Sequence, residues 1–221
     1  MSLLHRARFY TTAASTEQLS NPELATGLPE VAFVGRSNAG KSTAINLICN
    51  QRQLAFASKT PGRTQNLNYF VVEDRDRSYG YLVDLPGYGY AQTSHTLRTH
   101  WSGFLGGYLR DRETLKGIVL MMDARRPLMD SDQQLLEFLA PTGRPVHALL
   151  TKADKLSRSD LAQTLASVRK SFEGTDHTVQ TFSSLKRMGL ESADDRISQW
   201  LGIEKAPPAA KKTPASKLAG A

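Results

Sequence analysis

The sequence is poor in the features that would place it in several classes of protein. Its 221 residues include one cysteine, Cys49, so no disulfide framework can form within the chain. No apolar run approaches the ~18–20 residues that a membrane-spanning helix needs. The composition, 40% apolar, 22% charged and only 8% aromatic, is that of an ordinary globular domain. We therefore expect one domain in a reducing compartment, that is, a cytoplasmic protein without a membrane partner.

Acidic residues are scarcer than basic ones, and the imbalance is uneven along the chain. Lysine and arginine number 28 against 21 acids, which gives a formal net charge of +7. This balance suggests an anionic partner, although charge runs are more often solvated faces. The stretch 205–221 holds four lysines and no acid among alanines and prolines. Because such a composition cannot bury a core, we predict a disordered basic tail over 203–221.

The N-terminal segment, 1–28, is predicted to be a strand and a loop that lead into the main domain, 29–202. Arg6 and Arg8 without any acid before residue 17 superficially fit an organellar targeting peptide. The run Phe9-Tyr10-Thr11-Thr12 has strand-forming chemistry, so we favour an edge strand over His5–Thr12.

Apolar runs alternate with amphipathic stretches through the main domain. Runs typical of strands lie at 31–34, 69–72, 79–83, 118–122, 146–150 and 179–182, the second and third of them joined as a hairpin. Helical spacing of apolar residues marks 97–108, 161–172 and 190–201, and a helix is expected over 41–50, with Cys49 in its core face. This alternation predicts an α/β fold: a mostly parallel sheet with one antiparallel strand and helices on both faces.

A glycine-bearing loop between the first apolar strand and the first helix matches the P-loop pattern in full. It reads Gly35-Arg36-Ser37-Asn38-Ala39-Gly40-Lys41-Ser42. Glycines let backbone N–H groups converge on phosphate oxygens, and the helix N-terminus adds unpaired donors. Lys41 is long enough to reach β- and γ-phosphates, and the Ser42 hydroxyl is a hard oxygen ligand for Mg²⁺. The loop therefore predicts nucleotide binding.

Three later segments follow predicted strands and favour guanine over adenine. Asp84-Leu85-Pro86-Gly87 offers a carboxylate that can hold Mg²⁺ through water and an N–H that can sense a γ-phosphate. In Thr151-Lys152-Ala153-Asp154, the carboxylate can accept hydrogen bonds from guanine N1–H and its 2-amino group, which adenine lacks. A backbone N–H of Phe182-Ser183-Ser184 can meet guanine O6. Ligands of open α/β sheets bind at this edge of the sheet.

The long stretch between the first helix and the hairpin contains Lys59-Thr60-Pro61-Gly62-Arg63-Thr64-Gln65. A loop of that length in a compact domain is usually functional. Thr64 can supply a second hydroxyl to Mg²⁺ when the γ-phosphate is present. The stretch is therefore a candidate switch that is ordered with GTP and released with GDP; the alternative is a plain surface turn.

Taken together, these motifs resemble the translation-factor-class GTPases, and specifically the EngB/YihA/YsxC family of bacterial ribosome-assembly GTPases. The resemblance rests on segments 35–42, 58–65, 84–91, 151–154 and 182–186 and extends from about His5 to Leu201. It implies a P-loop G domain of the TrmE-Era-EngA-EngB-septin-like superfamily over 29–202, GTP/GDP as ligands and GTP hydrolysis with Mg²⁺. It also implies a role in large ribosomal subunit assembly and in normal cell division and septation. The implied partners are the large-subunit precursor and its rRNA, with no DNA, and the implied state is a monomer.

The site that the resemblance implies draws on all of these motifs. Lys41, Thr64 and Asn38 are its catalytic candidates. Ser42 and Thr64 are the metal ligands, with Asp84 acting through water. The nucleotide-binding residues are Gly35, Arg36, Ser37, Asn38, Ala39, Gly40, Lys41, Ser42, Gly62, Arg63, Thr64, Gln65, Asn66, Asp84, Leu85, Pro86, Gly87, Thr151, Lys152, Ala153, Asp154, Phe182, Ser183 and Ser184.

The sequence departs from the wider GTPase pattern at two positions. Thr151 stands where asparagine is usual, and its shorter side chain has no amide donor. Tyr88 stands where many GTPases place a water-orienting glutamine, so we expect slow hydrolysis without outside help, which is worth ~10³–10⁵ in rate. Asn38 is a candidate K⁺ ligand that could supply that help; the alternative is a turn residue that bonds to its own backbone. Gln65 and Gln92 can each orient water, and the sequence does not choose between them.

Two different functions also remain compatible with a P-loop in this chain. A P-loop kinase that uses ATP is disfavoured by Asp154, and a nucleotide-dependent RNA- or ribosome-binding module with little catalytic turnover is the runner-up. His95 and His100 have no third ligand nearby, so no zinc site is expected. Basic side chains that could contact rRNA phosphates are Arg110, Arg112, Arg125, Arg126, Lys186 and Arg187.

Overall fold

The computed structural model describes residues 2–56, 66–88 and 103–204. The strands are β1 (Arg8–Ala13), β2 (Glu30–Gly35), β3 (Leu67–Glu73), β4 (Ser78–Asp84), β5 (Leu115–Asp123), β6 (Val146–Thr151) and β7 (Thr178–Thr181). The α-helices are α1 (Thr16–Leu19), α2 (Lys41–Ile48), α3 (Phe104–Asp111), α4 (Asp130–Leu139), α5 (Arg158–Ser171) and α6 (Leu190–Trp200). Short 3₁₀ helices cover Leu3–Arg6, Ala140–Thr142 and Ala153–Lys155. No helix within these described ranges is long and apolar enough to cross a bilayer.

The strands form one sheet in the order β1-β3-β4-β2-β5-β6-β7. Strand β3 is antiparallel to both of its neighbours, while β4, β2, β5, β6 and β7 pair in parallel. The predicted α/β architecture, with one antiparallel strand, is therefore confirmed. Its consequence is that the carboxyl ends of β2, β4, β5 and β6 share one edge, where Phe33 lies opposite Asp84 and Asp123 opposite Thr151.

The sheet is covered on both faces, which explains the near-continuous apolar strands. Along β2, Val31 and Phe33 point into one core, which also contains Ile45 of α2 and Ile197 of α6. Ala32 and Val34 point into a second core, which α3, α4 and α5 cover. The alternation follows from the two-residue period of a strand, and it confirms helices on both faces.

The N-terminal segment adds an edge strand to the sheet, as predicted, but the strand starts later than expected. Residues Leu3–Arg6 form a 3₁₀ turn that buries Leu4, and the Ser2 hydroxyl accepts from the Leu4 amide. The strand then runs over Arg8–Ala13 rather than His5–Thr12, because burial of Leu4 requires a turn ahead of it.

Two further element predictions need correction at their ends. The first helix stops at Ile48 rather than Asn50, since Cys49 is its C-cap and Asn50 has a left-handed backbone (φ +49°). Cys49 is fully buried, and burial raises the pKa of its thiol to about 12, which confirms its expected packing role. The stripe predicted over 97–108 yields a helix only from Phe104; its earlier members, Leu97 and Trp101, lie outside the described residues.

A buried carboxylate fastens the start of β2 to the surrounding elements. The Glu30 side chain is fully buried and pairs with Arg112, whose Nη2 lies 2.6 Å from Oε1. Hydroxyls of Tyr69, Tyr108 and Thr114 also donate to Glu30, at 3.2, 3.0 and 2.7 Å. Arg112 further donates to the Leu19 and Leu24 carbonyls. The proposal that Arg112 contacts rRNA is therefore wrong, because its guanidinium is enclosed by protein acceptors.

Candidate functional site

The phosphate loop lies between β2 and α2, as the sequence predicts. Gly35 ends β2 so close to β5 that a Cβ there would come within 2.7 Å of the Met121 Cβ. Gly40 has φ +91° and occupies the N-cap of α2, where it has no side chain with which to cap the first turn. The N-terminal amides of α2 therefore face the loop, which makes this end of the helix suited to an anion.

Lys41 and Asp84 meet in a nearly buried ion pair at the edge of the sheet. Their side chains are 11% and 6% exposed, and the Lys41 ammonium donates to Oδ1 of Asp84. Burial raises the pKa of Asp84, and the positive charge of Lys41 opposes that shift. The adjacent ends of β2 and β4 thus bring together the lysine and the carboxylate that the sequence assigns to phosphate and metal.

The segment Asp84-Leu85-Pro86-Gly87-Tyr88 continues past β4 along the phosphate loop. The Ser37 amide donates to the Tyr88 carbonyl at 2.9 Å, and the Tyr88 amide donates to the Gly35 carbonyl at 3.2 Å. Gly87 approaches the loop so closely that a Cβ would lie 3.2 Å from the Ser37 Cα. A larger residue at position 87 would therefore press on the phosphate loop.

The Tyr88 side chain points away from this loop and into the protein. It is 1% exposed, and its hydroxyl donates to Oδ1 of the buried Asp132 at 2.9 Å. The other Asp132 oxygen accepts from the Met129 amide at 3.1 Å and so caps α4. Burial raises the pKa of Asp132, and the Tyr88 hydrogen bond opposes this shift. A phenol held in this way does not orient water beside a γ-phosphate.

We expect Tyr88→Phe to destabilise the protein by ~1–3 kcal/mol at neutral pH, because it removes a donor from a buried carboxylate. The pKa of Asp132, raised in the folded state, should rise further without that donor. A raised carboxyl pKa costs stability as pH rises above the unfolded value of ~3.9, so the loss should be larger at pH 7 than at pH 4. Urea unfolding of the wild type and the variant at pH 7 and pH 4 measures the loss of stability at each pH. A loss that is equal at the two pH values would contradict the role of the Tyr88 hydroxyl as a donor to ionised Asp132.

The end of β6 is joined to the phosphate loop by two side chains. The Thr151 hydroxyl lies 2.7 Å from the Ala39 carbonyl and 3.1 Å from that of Met122. Lys152, in a left-handed conformation, donates to the Asn38 carbonyl at 2.8 Å. The threonine side chain, although shorter than asparagine, therefore reaches the loop.

Asp154 follows in the 3₁₀ turn Ala153–Lys155, with its side chain 9% exposed. The Ala153 amide donates to the Phe182 carbonyl at 3.1 Å, which sets the turn beside the end of β7. The Ser183 hydroxyl donates to Oδ1 of Asp154, and this hydrogen bond lowers the pKa of the carboxyl below its ordinary value. The structure thus holds an ionised carboxylate, an acceptor only, at the place predicted for guanine.

The described residues include most of the predicted site. The segments 35–42, 84–87, 151–154 and 182–184 converge on the carboxyl edge of the sheet, and Asn66, half-buried, leads into β3. Gly62, Arg63, Thr64 and Gln65 lie outside the described residues, as do Gln92, His95, His100 and the tail from residue 205 onward. Sequence reasoning missed Asp132 and the Asp123–Lys152 contact of 3.1 Å. The sequence offers only one indication of these two features, namely that Asp123 lies at the end of a strand and Asp132 near the start of a helix.

The sheet order, the phosphate loop and the acceptor carboxylate together define a P-loop GTP-binding protein with a G-domain fold. Among solved structures, a probable GTP-binding protein engB matches over 79% of this chain and 100% of its own, with TM-score 0.59 at 19% identity. Era in complex with MgGDPNP and a segment of 16S ribosomal RNA matches over 81% of this chain and 58% of its own, with TM-score 0.60 at 21% identity. At such identities these likenesses show the fold alone.

Closer relatives show the family. The 50S ribosome-binding GTPase model matches residues 30–152. The probable GTP-binding protein EngB of Ralstonia nicotianae is 52% identical, with 98% of this chain and 96% of the relative covered. That of Bordetella pertussis is 54% identical, with 94% and 100% covered. The chain belongs to the EngB family of GTP-binding proteins.

Proposed function

We propose that this protein hydrolyses GTP slowly and acts as a nucleotide-controlled switch in assembly of the large ribosomal subunit. The observation that carries the proposal is the joined edge of β6: Thr151 and Lys152 bond to the phosphate loop, and Asp154 is kept ionised beside it. One edge of the sheet would thus serve both the phosphates and the base. The family's name, 50S ribosome-binding GTPase, supports the ribosomal partner.

The donor set at the phosphate loop fits a magnesium ion. The Ser42 hydroxyl is a hard oxygen ligand, and the buried Asp84 carboxylate can act through water. Among the described residues no group of three His, Cys, Asp or Glu could hold a metal alone, so phosphate oxygens would have to complete the shell. We assign Ser42 and Thr64 as direct ligands. When bound, the ion neutralises charge on the phosphates.

The proposed reaction is in-line attack of water on the γ-phosphate, with GDP as the leaving group. Lys41 and the amides of the phosphate loop neutralise the charge that develops on the oxygens. The Lys41 ammonium donates to Asp84 in this structure, so it would have to exchange that contact for one with a phosphate oxygen. The Gly87 amide would sense the γ-phosphate. No side chain is assigned as general base, and burial of Tyr88 favours a low basal rate.

A potassium ion at Asn38 is the proposed source of part of the missing transition-state charge. Asn38 has φ +65°, its side chain is exposed, and its carbonyl is engaged by Lys152. We expect hydrolysis to be roughly tenfold faster in K⁺ than in Na⁺, which is ~1.4 kcal/mol in the barrier. Asn38→Ala should abolish the difference in single-turnover phosphate release. Equal rates of the wild type in the two salts would exclude the ion.

The proposed cellular setting is cytoplasmic, with a monomer acting on the large-subunit precursor and its rRNA and serving normal cell division and septation. Cosedimentation of the full chain with 50S particles, in GTPγS and in GDP, tests the switch. We expect pelleting with GTPγS and release with GDP. Equal pelleting in both states would favour the runner-up function, a ribosome-binding module with little turnover.

A competition experiment tests the alternative of an ATP-using kinase. We expect that ADP does not displace labelled GDP from the protein, and this result would exclude the kinase.

A further inference from the structure

A cleft of about 460 Å³ opens beside the phosphate loop and shares Arg36, Ser37, Asn38, Ala39 and Lys152 with the predicted nucleotide site. Its described lining contains neither Lys41 nor Ser42, the residues assigned to phosphate and metal, nor Asp154 of the base site. One wall is the phosphate loop with Lys152, and the other is the end of β5 with the two arginines that follow it. The lining residues are Arg36, Ser37, Asn38, Ala39, Asp123, Arg125, Arg126 and Lys152.

The lining is strongly basic, and its charge is only partly compensated. Asp123 is the one acid in the described lining, and it serves both Arg125, at 2.7 Å, and Lys152, at 3.1 Å. Arg126 forms no ion pair with any described residue. The net excess of cations facing one cleft makes an anionic occupant favourable.

Arg36, which also lines the cleft, adds a further positive charge beside it. Its Nε is buried and has no hydrogen-bond partner within the described part of the chain. Asp132 lies close enough for Arg36 to lower its pKa, but that carboxylate already accepts from the Tyr88 hydroxyl and the Met129 amide.

We propose that this cleft binds backbone phosphates of single-stranded RNA. Planar guanidinium groups match phosphate oxygens in a bidentate way, and three of the four cations are arginines. Single-stranded RNA can lay its backbone along a basic groove, whereas duplex RNA is contacted across a wide, shallow groove. The proposal deepens the proposed function, on which it rests, because it names the part of the chain that touches the RNA of a ribosomal partner.

The cleft shares a wall with the nucleotide site, which decides how it can be tested. Lys152 lines the cleft and also donates to the Asn38 carbonyl of the phosphate loop. Arg36 belongs to that loop as well. Arg125 and Arg126 are exposed and lie outside every segment assigned to the nucleotide, so they are the residues to change.

The test is the fluorescence anisotropy of a labelled 20-nucleotide uridine RNA with the full chain saturated in Mg²⁺ and GTPγS, over a salt series. Arg125→Ala/Arg126→Ala should weaken binding at least tenfold at low salt. It should also make the log–log salt slope shallower by about 1.4, since each single-strand phosphate contact contributes ~0.7. Unlabelled RNA, but not polyglutamate, should displace the probe.

The matched control is Lys116→Ala/Lys170→Ala, which removes the same charge at two exposed positions that do not line the cleft, near the start of β5 and the end of α5. It should leave both affinity and slope unchanged. If Arg125→Ala/Arg126→Ala bound the RNA as tightly as the wild type, or if polyglutamate displaced the labelled RNA, the proposal that the cleft binds RNA would be overturned. An equal loss of GTPγS binding would assign the cleft to the nucleotide instead. Failure of the wild type to bind GTPγS or 50S particles would refute the proposed function separately.

Discussion

Asp154→Asn is expected to lower the affinity for GDP by roughly 10⁴-fold, about 5.5 kcal/mol. The carboxylate can accept from both guanine N1–H and the 2-amino group, whereas an amide presents a donor to one of them. Asp154 is only 9% exposed, and the Ser183 hydroxyl holds it in place. The mismatched donors would therefore stay unpaired where water has little access, which is why the expected loss is large.

The same substitution should favour a different base, which separates a specificity change from a failure to fold. Xanthine has a carbonyl oxygen where guanine has the 2-amino group, so the amide N–H₂ of Asp154→Asn can donate to it. We expect tighter binding of XDP than of GDP, measured by titration calorimetry. Asp176→Asn, a change of the same kind at an exposed acid, should leave both affinities unchanged. GDP affinity within tenfold of the wild type would exclude Asp154 from base recognition.

Glu30→Gln is expected to cost about 3–5 kcal/mol of unfolding free energy, as loss of one partner of a buried ion pair typically does. Glu30 accepts from four side chains, those of Arg112, Tyr69, Tyr108 and Thr114. An amide of nearly the same volume would leave the Arg112 guanidinium without a countercharge. It would also place two N–H donors among groups that are themselves donors. Urea unfolding in the absence of nucleotide measures the loss.

Glu73→Gln is the matched control for that prediction. Glu73 also pairs with an arginine, Arg8, but the two side chains are 29% and 57% exposed. Water screens such a pair, so the expected change is ~0–1 kcal/mol. If the two variants were equally stable, burial of the Glu30 pair would not contribute to the fold.

Elements with a strong local pattern were predictable from the sequence. The apolar runs of β2, β5 and β6 allow little but buried strands, and a glycine loop between a strand and a helix places Lys41 and Ser42 at a helix start. The ends were less predictable because they depend on tertiary contacts. Because Leu4 is buried, Leu3–Arg6 form a 3₁₀ turn, although the sequence predicts that the strand begins at His5. Asn50 has a left-handed backbone conformation, so α2 ends earlier than its sequence predicts.

The role of individual charged residues could not be read from their type. Arg112 and Arg126 look alike in the sequence as members of a basic set. Arg112 precedes β5 and Arg126 follows it, so the strand carries them to opposite ends of the sheet. The structure therefore encloses Arg112 around Glu30 and leaves Arg126 on a cleft. Tyr88 likewise stands at the position of a water-orienting glutamine in the sequence, but in the structure its hydroxyl donates to the buried Asp132.

What the sequence alone determined is the order of strands and helices, the phosphate loop and the residue types that can read guanine. All of these depend on neighbours within a few positions along the chain. Only the tertiary structure decided that Thr151 and Lys152 bond to the loop at Ala39 and Asn38, and that Ser183 orients Asp154. The physical reason is that parallel strands make partners of residues far apart in the chain. Placement of β2 between β4 and β5 follows from packing the whole core, which no local pattern encodes.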